Sequence, residues 1–326
     1  MSARLPVGVV GVGALGQHHA RHLASLPDVE LVGVYDASPV RAAEIAERVG
    51  TRAFGDLDTL LGRVRAVSVA VPTTLHENVG LAALDRGVAV LMEKPLAATL
   101  EEADRLVARA AQRGVQLQVG HIERFNRAIR AAEGVLDGPR FMESQRLAPF
   151  QPRGTDVTVV LDLMIHDLDL VLRLTGGSTP TDVRAAGIAV LSPHLDMANA
   201  RVEFANGAVA TVTTSRVSRE RIRKLRIFQP SGYLSLDLAA GTGVFLKIKN
   251  EWRPGMGASL DEVVEEIPLT APEGDALRLQ LESFVHAVLG ERETVVTGAE
   301  GRAALALALE VTAAVARTAP LVSPRE

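Results

Sequence analysis

The chain has 326 residues, of which 47% are hydrophobic and 23% are charged, a composition that predicts a globular protein of about two domains. Its formal net charge of −4 gives no general electrostatic reason to bind nucleic acid or an anionic membrane. Because the sequence contains no cysteine, disulfides, thiolate metal ligands and a cysteine nucleophile are excluded. The first residues lead directly into a predicted strand, and no apolar run reaches about 18 residues, so we expect a cytoplasmic protein without signal peptide or membrane span.

The N-terminal part of the chain alternates short apolar runs with helical patterns. The predicted buried strands are Leu5–Val10, Leu31–Tyr35, Ala66–Val71 and Val88–Met92, with Val115–Val119 as an edge strand. The predicted helices are Ala14–Ser25, Pro39–Val49, Leu75–Asp85 and Leu100–Arg113. Strand–helix alternation predicts an α/β domain with a doubly wound parallel sheet, a Rossmann domain, over residues 1–121.

The pattern changes in residues 122–326, which we expect to form an α+β domain. Strand-like segments surround turn signals at Asn206-Gly207 and at Pro230-Ser231-Gly232, as expected for consecutive antiparallel strands. These strands are Ala198–Phe204, Ala208–Ser215, Leu225–Gln229, Tyr233–Leu238 and Val244–Lys249. Two late amphipathic helices, Asp275–Leu289 and Ala299–Val315, follow them, and the second is expected to pack on the first domain.

A glycine-rich segment follows the first predicted strand. Its residues form the pattern GxGxxG: Gly11, Val12, Gly13, Ala14, Leu15 and Gly16. Here Gly11 permits a tight turn, Gly13 lets the backbone approach a pyrophosphate, and Gly16 lets the helix pack closely. A helix that begins here presents free amide groups to phosphates, so the segment predicts a dinucleotide site.

An acidic residue, Asp36, ends the second predicted strand, where a carboxylate accepts hydrogen bonds from the adenosine ribose. This carboxylate repels a 2′-phosphate and favours NAD, although Arg41 leaves NADP open. Alternatively, Asp36 is only a helix N-cap, a role that Ser38 fills equally well. Val71 ends the third predicted strand, and Pro72 and Thr73, which follow it, are expected to pack against the nicotinamide ribose. His76 either faces the cofactor or begins a solvated helix.

Candidate chemical groups follow in two further segments. Glu93, Lys94 and Pro95 end the fourth predicted strand, so Lys94 is expected to face the ligand cleft. Asp162 and His166 are four residues apart in a predicted helix and share one face. They form either an acid–base pair, which suits an imidazole whose ordinary pKa is about 6.5, or an ordinary helical ion pair.

This ordered set of motifs resembles the glucose–fructose oxidoreductase / myo-inositol dehydrogenase (Gfo/Idh/MocA) family over nearly the whole chain. The resemblance implies a large open, mostly antiparallel sheet in the second domain, and a homodimer or homotetramer. It further implies hydride transfer between NAD and a hydroxyl carbon of a sugar, nucleotide sugar or cyclitol. By this resemblance Lys94 binds the reacting hydroxyl and the cofactor, His166 is the general base, and Asp162 binds a neighbouring hydroxyl or orients His166.

Segments around Val119–Asn126 and Val160–Asp167 are similar to a bacterial subgroup that includes UDP-N-acetylglucosamine 3-dehydrogenases. That resemblance implies that Arg124 and Asn126 line a substrate pocket, where arginine suits a pyrophosphate. It assigns no role to His121, since family members often have tyrosine or phenylalanine there.

Other interpretations stay open at this point. An NAD-dependent glycosidase acting through a transient 3-keto sugar, and a non-catalytic cofactor sensor, are the alternatives, although a sensor needs neither Lys94 nor His166. No metal-ligand cluster stands out. Six basic residues lie between Arg216 and Arg226, and they form either a solvated strand face and loop or a surface for a phosphate-bearing substrate.

Overall fold

A computed structural model describes residues 4–151, 157–249, 251–253 and 259–318. The chain divides into two compact units, each assembled from two stretches of sequence. The first unit comprises Met1–Ile122 and Gly274–Leu305, and the second comprises Glu123–Glu273 and Ala306–Glu326. In the part of the chain that is described, no helix is both long enough and apolar enough to cross a membrane.

The first unit contains a six-stranded parallel sheet with helices between its strands. Its strands are β1 (Leu5–Val10), β2 (Val29–Tyr35), β3 (Arg52–Ala53), β4 (Ala66–Val69), β5 (Ala89–Glu93) and β6 (Leu117–Gly120). Its first helices are α1 (Gly16–Ser25), α2 (Pro39–Val49), α3 (Leu57–Leu61), α4 (His76–Asp85) and α5 (Leu100–Arg113). The strand order β3-β2-β1-β4-β5-β6 is that of a dinucleotide-binding sheet, which confirms the expected Rossmann topology.

Helices α2 and α5 have the predicted bounds because local signals define both of their ends. The hydroxyls of Ser38 and Thr99 cap their first turns, and Gly50 and Gly114 end them in the left-handed conformation. Elsewhere in this unit the predictions differ from the structure. The third predicted strand ends two residues early, at Val69, and the short elements β3 and α3 were not predicted.

The second unit contains an eight-stranded sheet. Its strands are β7 (Phe141–Leu147), β8 (Pro180–Ile188), β9 (Met197–Phe204), β10 (Val209–Ser215), β11 (Ile222–Gln229), β12 (Gly232–Asp237), β13 (Thr242–Ile248) and β14 (Val264–Leu269). Its helices up to this point are α6 (Arg127–Ala132), α7 (Ile165–Leu174) and α8 (Leu260–Val263). The order β14-β13-β12-β11-β7-β10-β9-β8 includes one parallel pair, β7 with β10, so the expected mostly antiparallel sheet is confirmed.

Strands β7, β8 and β14 were not predicted, and two further details of the second unit correct the sequence predictions. The strands were expected to be consecutive neighbours, but β7 lies between β10 and β11 and hydrogen-bonds to both. The segment around Asp162 was expected to be α-helical, but Val160–Met164 forms a π-helical turn that precedes α7. The hairpin prediction at Asn206-Gly207 is confirmed, because β9 and β10 pair across it and Gly207 has a positive φ of 81°.

The chain then returns to the first unit through α9 (Ala276–Val288) and the start of α10 (Gly298–Thr318). Phe284 and Leu281 of α9 are fully buried in the same hydrophobic cluster as Val7, Val9 and Leu23 of β1 and α1. Burial of a large apolar side chain contributes about 1.5–3 kcal/mol. The returning helix therefore stabilises the framework that carries the glycine-rich turn.

Candidate cofactor and substrate sites

The glycine-rich turn joins β1 to α1, and two of its glycines are required by packing. Gly11 has a positive φ of 82°, and a Cβ atom on it would lie 2.7 Å from the carbonyl oxygen of Ala70. A Cβ atom on Gly16 would lie 1.8 Å from the carbonyl oxygen of Gly11. A Cβ atom on Gly13 would meet nothing within 4 Å, so the fold itself does not require glycine there. The space beside Gly13 suits the close approach of a ligand.

The first turn of α1 has no side-chain cap. Leu15 occupies the N-cap position and provides no side-chain hydrogen bond, and Ala14 is exposed beside it. The amides of Gln17 and His18 donate to the carbonyls of Gly13 (3.3 Å) and Leu15 (2.9 Å). The positive end of the helix dipole favours a phosphate beside the turn. Together with the space at Gly13, this backbone arrangement fits the pyrophosphate of a dinucleotide.

The Asp36 carboxylate holds the glycine-rich turn in place. Its Oδ2 accepts a hydrogen bond from the Val12 amide (2.8 Å), and its Oδ1 accepts one from the Ser38 amide (2.9 Å). The hydroxyl of Ser38, rather than Asp36, caps α2. Arg41 donates to the Val12 carbonyl (2.9 Å) and forms an ion pair with Glu44 (2.8 Å), a carboxylate that also pairs with Arg48. These contacts favour NAD over NADP, because a 2′-phosphate would meet Asp36 and an arginine that is already paired.

The segment after β4 was predicted to lie beside the nicotinamide ribose. Val71 and Thr73 are half-buried and Pro72 is exposed. His76 is only 1% exposed, so the prediction of a solvated helix start is wrong. Its Nδ1 lies 2.9 Å from the carbonyl oxygen of Pro95 and its Nε2 lies 3.0 Å from that of Val71. His76 therefore joins this segment to the one that follows Lys94, and burial lowers its pKa.

Lys94 stands at the carboxyl end of β5, directly after a buried glutamate. The Glu93 carboxylate accepts a hydrogen bond from the Lys94 amide (3.2 Å) and lies 3.3 Å from Nε2 of His19. The other ring nitrogen of His19 lies 2.7 Å from the Ser68 hydroxyl, and both residues are fully buried. Although burial opposes it, the contact with His19 lowers the pKa of Glu93. This buried network fixes the backbone that carries Lys94.

In the second unit, Asp162 lies in the π-helical turn and lines a cavity of about 330 Å³. His166 follows in the first turn of α7, which packs against β7 and β10. Both side chains are half-buried. A π-helical turn changes the direction of side chains at the start of a helix and is frequent at functional sites.

The residue after His166 anchors α7 to the sheet. The Asp167 carboxylate accepts hydrogen bonds from the Ser144 hydroxyl (2.7 Å) and from Nε of Arg146 (2.6 Å). Arg146 also donates to Glu123 (2.9 Å), and all four of these groups are buried. Although burial alone would lower it, the two carboxylates raise the pKa of Arg146. The position of His166 therefore depends on a buried ion-pair network on β7.

Arg124 and Asn126 have structural partners of their own. Arg124 donates from two nitrogens to both carboxylate oxygens of Asp169, at 2.6 and 2.8 Å, and is buried. The Asn126 amide group donates to Glu123 (2.9 Å) and to the Leu238 carbonyl (2.8 Å), and its oxygen caps α6. Both residues therefore shape the second unit, and their predicted contacts with substrate stay predictions.

His121 is fully buried in the first unit. Within the residues that the structure describes, no group of three or more histidine, aspartate or glutamate side chains is arranged to hold a metal ion.

The comparisons with known proteins agree with this geometry. Residues 5–121 match the NAD-binding Rossmann fold of the GFO_IDH_MocA oxidoreductase family, and residues 128–235 match the GFO/IDH/MocA C-terminal domain. The chain belongs to the Gfo/Idh/MocA family. It is thus an oxidoreductase whose cofactor is NAD, as the motifs predicted.

Among its relatives, the chain is 42% identical to UDP-N-acetylglucosamine 3-dehydrogenase of Acidithiobacillus ferrooxidans, over 94% of this chain and 96% of that protein. A crystal structure of that Acidithiobacillus ferrooxidans enzyme superposes with a TM-score of 0.88 at 40% identity, covering 96% of this chain and 98% of the other. The scyllo-inositol 2-dehydrogenase (NAD(+)) of Bacillus subtilis is 29% identical over 67% of this chain and 69% of its own length. GenD2 from gentamicin A biosynthesis, solved in complex with NAD, has a TM-score of 0.80 at 25% identity, covering 97% and 95% of the two chains.

The sequence predictions missed the buried residues that hold the candidate site segments in place. His19 follows the last glycine of GxGxxG by three residues, and this spacing is the one signal that placed it near the turn. Ser144 and Arg146 gave no signal, because polar residues at alternate positions of β7 do not resemble a buried strand face. Their role is recognised only from the folded structure, in which both residues hydrogen-bond to Asp167.

Proposed function

We propose that this protein oxidises the C3 hydroxyl of UDP-N-acetylglucosamine, or of a closely related nucleotide sugar, with NAD as the hydride acceptor. The observation that carries the proposal is the placement of Asp162 in the wall of a cavity, one helical turn before a general-base candidate on an anchored helix. The 42% identity to a UDP-N-acetylglucosamine 3-dehydrogenase over almost the full length of both proteins supports this choice of substrate.

Each candidate residue has one task in this proposal. Lys94 binds the reacting hydroxyl through its ammonium group and lowers the cost of removing the proton. His166 accepts that proton on its ring, as a general base. Asp162 accepts a hydrogen bond from a neighbouring sugar hydroxyl and so sets the orientation of the sugar ring. Bound NAD supplies the hydride acceptor, and the backbone of the glycine-rich turn and Asp36 hold it.

Two supporting networks explain why these side chains keep their positions. Glu93 and His19 fix the backbone at Lys94, and Asp167 with Arg146 fixes the helix that carries His166. Precise positioning of catalytic groups requires that their own neighbours be held, since small displacements are costly to the rate.

A comparison of separate substrates tests the proposal. The purified protein is incubated with NAD and, separately, with UDP-N-acetylglucosamine, N-acetylglucosamine, myo-inositol or scyllo-inositol, and NADH formation is followed by absorbance. We expect the highest kcat/KM for UDP-N-acetylglucosamine. A higher kcat/KM for either inositol would contradict the proposal, and release of UDP without net NADH would instead indicate the glycosidase reaction.

We further propose a cytoplasmic enzyme that acts as a homodimer or homotetramer, assembled through the second unit's sheet. An aromatic patch supports this assembly: Phe228 is 38% exposed, stacks on Tyr233 at a centroid distance of 4.7 Å and contacts Phe141 at 5.9 Å. Exposed apolar groups that cluster on one face are typical of interaction surfaces. Light scattering on the purified protein tests it, and a monomer at micromolar concentration would contradict it.

A further inference from the structure

The cavity beside Asp162 combines one carboxylate with several guanidinium groups. It lies within the second unit and has a volume of about 330 Å³. The charged residues in its wall are Asp162, Arg146, Arg216, Arg221 and Arg223. Three of these arginines belong to the basic run from Arg216 to Arg226, for which the sequence left two interpretations open.

Two of the arginines are buried and form the fixed part of the wall. Arg146 is held by Asp167 and Glu123, as described above. Arg216 donates to Asp196 (2.7 Å) and to the Ser192 hydroxyl (2.9 Å), and its side chain is 5% exposed. Although burial opposes it, hydrogen bonds from Ser192 and Arg216 lower the pKa of Asp196. These two guanidiniums are therefore compensated within the protein.

The remaining two arginines have weaker compensation. Arg223 lies directly opposite Arg146 in the β11–β7 pairing, and its side chain is 40% exposed. Its Nη1 is 3.7 Å from the Glu123 carboxylate, and that carboxylate already accepts a hydrogen bond from Arg146 at 2.9 Å. Arg221, two residues earlier, is exposed on the same cavity. Burial and repulsion from Arg146 lower the pKa of Arg223, as expected where positive charge is in excess.

Two residues of the basic run, Lys224 and Arg226, point away from the cavity. Along β11, Leu225 and Ile227 are buried on the same face as Arg223, whereas Lys224 and Arg226 are exposed on the opposite face. Arg226 pairs there with Glu143 at 3.5 Å. Strand β11 therefore places Arg223 on the cavity, and Lys224 and Arg226 on the opposite face of the sheet.

We propose that Arg221 and Arg223 bind the diphosphate of a nucleoside diphosphate sugar in this cavity, an inference that rests on the proposed function. Guanidinium groups bind phosphate oxygens through paired, charge-assisted hydrogen bonds. The carboxylate of Asp162 cannot bind a phosphate, but it accepts hydrogen bonds from sugar hydroxyls. One cavity with both kinds of group suits a ligand that has an anionic end and a polyol end. An inositol lacks the anionic end.

Steady-state kinetics with matched variants test the assignment. In Arg223→Gln and Arg221→Gln we expect KM for UDP-N-acetylglucosamine to rise about 10- to 100-fold, the loss of one charge-assisted hydrogen bond, with a much smaller change in kcat. Arg223→Lys keeps the positive charge but loses the paired hydrogen bonds of a guanidinium group. We therefore expect its KM to lie between those of the wild type and Arg223→Gln. Arg226→Gln, which removes a charge from the other face of the same strand, leaves KM unchanged. Equal KM values in all four variants would overturn the inference.

Binding of UDP, measured by calorimetry with NAD at saturation, separates this inference from the proposed function. UDP carries the diphosphate but no sugar to oxidise, so its affinity does not depend on turnover. We expect UDP to bind and both glutamine variants to weaken it, with melting temperatures showing that the variants fold. If UDP binds in this way but UDP-N-acetylglucosamine is not oxidised, the function fails and the diphosphate site stands.

Two results would overturn the site itself. The first is oxidation of UDP-N-acetylglucosamine with no effect of Arg221→Gln or Arg223→Gln on UDP affinity. The second comes from N-acetylglucosamine 1-phosphate, which carries a single phosphate. If it binds as tightly as UDP and with the same dependence on both arginines, the cavity recognises a monophosphate and not a diphosphate.

Discussion

In the first unit the candidate cofactor site is built mainly from backbone, whereas in the second unit the candidate substrate site is built from side chains. The parts of the candidate cofactor site are set by the course of the backbone. They are the glycine-rich turn, the uncapped start of α1 and the end of β5. The cavity beside Asp162 depends on arginines and carboxylates from separate strands and helices. A backbone site needs a few glycines at fixed spacing, while a side-chain site needs many partners that pair only after folding.

The largest expected effects concern the two groups proposed to act on the hydroxyl proton, one from each unit. We expect Lys94→Ala and His166→Ala each to lower kcat by about 10²- to 10⁴-fold, because each removes a group that the proposed mechanism places on the hydroxyl proton. NAD affinity of His166→Ala, measured by calorimetry, stays close to wild type. His194→Ala, which removes an exposed imidazole from the second unit, is the control. Wild-type turnover in either of the first two variants would show that the replaced residue is not a catalytic group.

We also expect a large loss of stability when the buried ion-pair network of the second unit is broken. Asp167→Asn leaves Arg146 buried with less compensation, and we expect a loss of about 3–5 kcal/mol in the free energy of unfolding. The matched control is Asp182→Asn, because Asp182 pairs with Arg184 at 2.8 Å but both are exposed, and such pairs contribute about 0–1 kcal/mol. Urea unfolding measures both. Equal losses would mean that the buried network does not anchor α7.

The same difference between a backbone site and a side-chain site explains which features could be predicted from the sequence. The Rossmann sheet, the GxGxxG turn and the bounds of α2 and α5 were predictable, because local caps and spacing determine them. Strand β7 was not predicted, since its buried positions Ser144 and Arg146 are polar and pair with a distant helix. The π-helical turn at Asp162 has no signal in spacing, and the environment of Arg223 depends on a strand pairing across the sheet.

The backbone site predicts a loss of cofactor affinity without a loss of fold. In Gly13→Ala the new Cβ meets no protein atom within 4 Å, so we expect an unchanged melting temperature. The methyl group occupies the space where the pyrophosphate approaches the backbone, and NAD affinity falls on the order of 10- to 100-fold through lost phosphate hydrogen bonds. Gly55→Ala, also unobstructed and exposed, is the control. Tight NAD binding to Gly13→Ala would place the pyrophosphate elsewhere.

Cofactor preference gives a smaller effect. Asp36→Ala removes the proposed acceptor for the ribose hydroxyls and the contacts to the Val12 and Ser38 amides, so we expect NAD affinity to fall by about tenfold. NADP affinity falls less, because the repulsion of its 2′-phosphate is removed as well. The ratio of the two dissociation constants measures this change. The same ratio in wild type and variant would leave Asp36 with only its role in holding the turn.

The smallest effect is a pH dependence in the first unit. Burial lowers the pKa of His76 from 6.5, so below that value the unfolded chain takes up a proton that the folded protein does not. Its contribution to stability is therefore present above pH 6.5 and is lost as the pH falls towards the lower folded-state pKa. Wild type should lose more melting temperature than His76→Gln between about pH 7.5 and about pH 5.5. Parallel pH profiles would contradict this assignment.

Isotope transfer from the substrate tests the central claim most directly. UDP-N-acetylglucosamine with deuterium at C3 is incubated with the protein and NAD, and the reduced cofactor is analysed by mass spectrometry. We predict that the reduced nicotinamide carries one deuterium from each substrate molecule oxidised. Reduced cofactor without deuterium, or intact substrate after prolonged incubation with folded, NAD-bound protein, would contradict it.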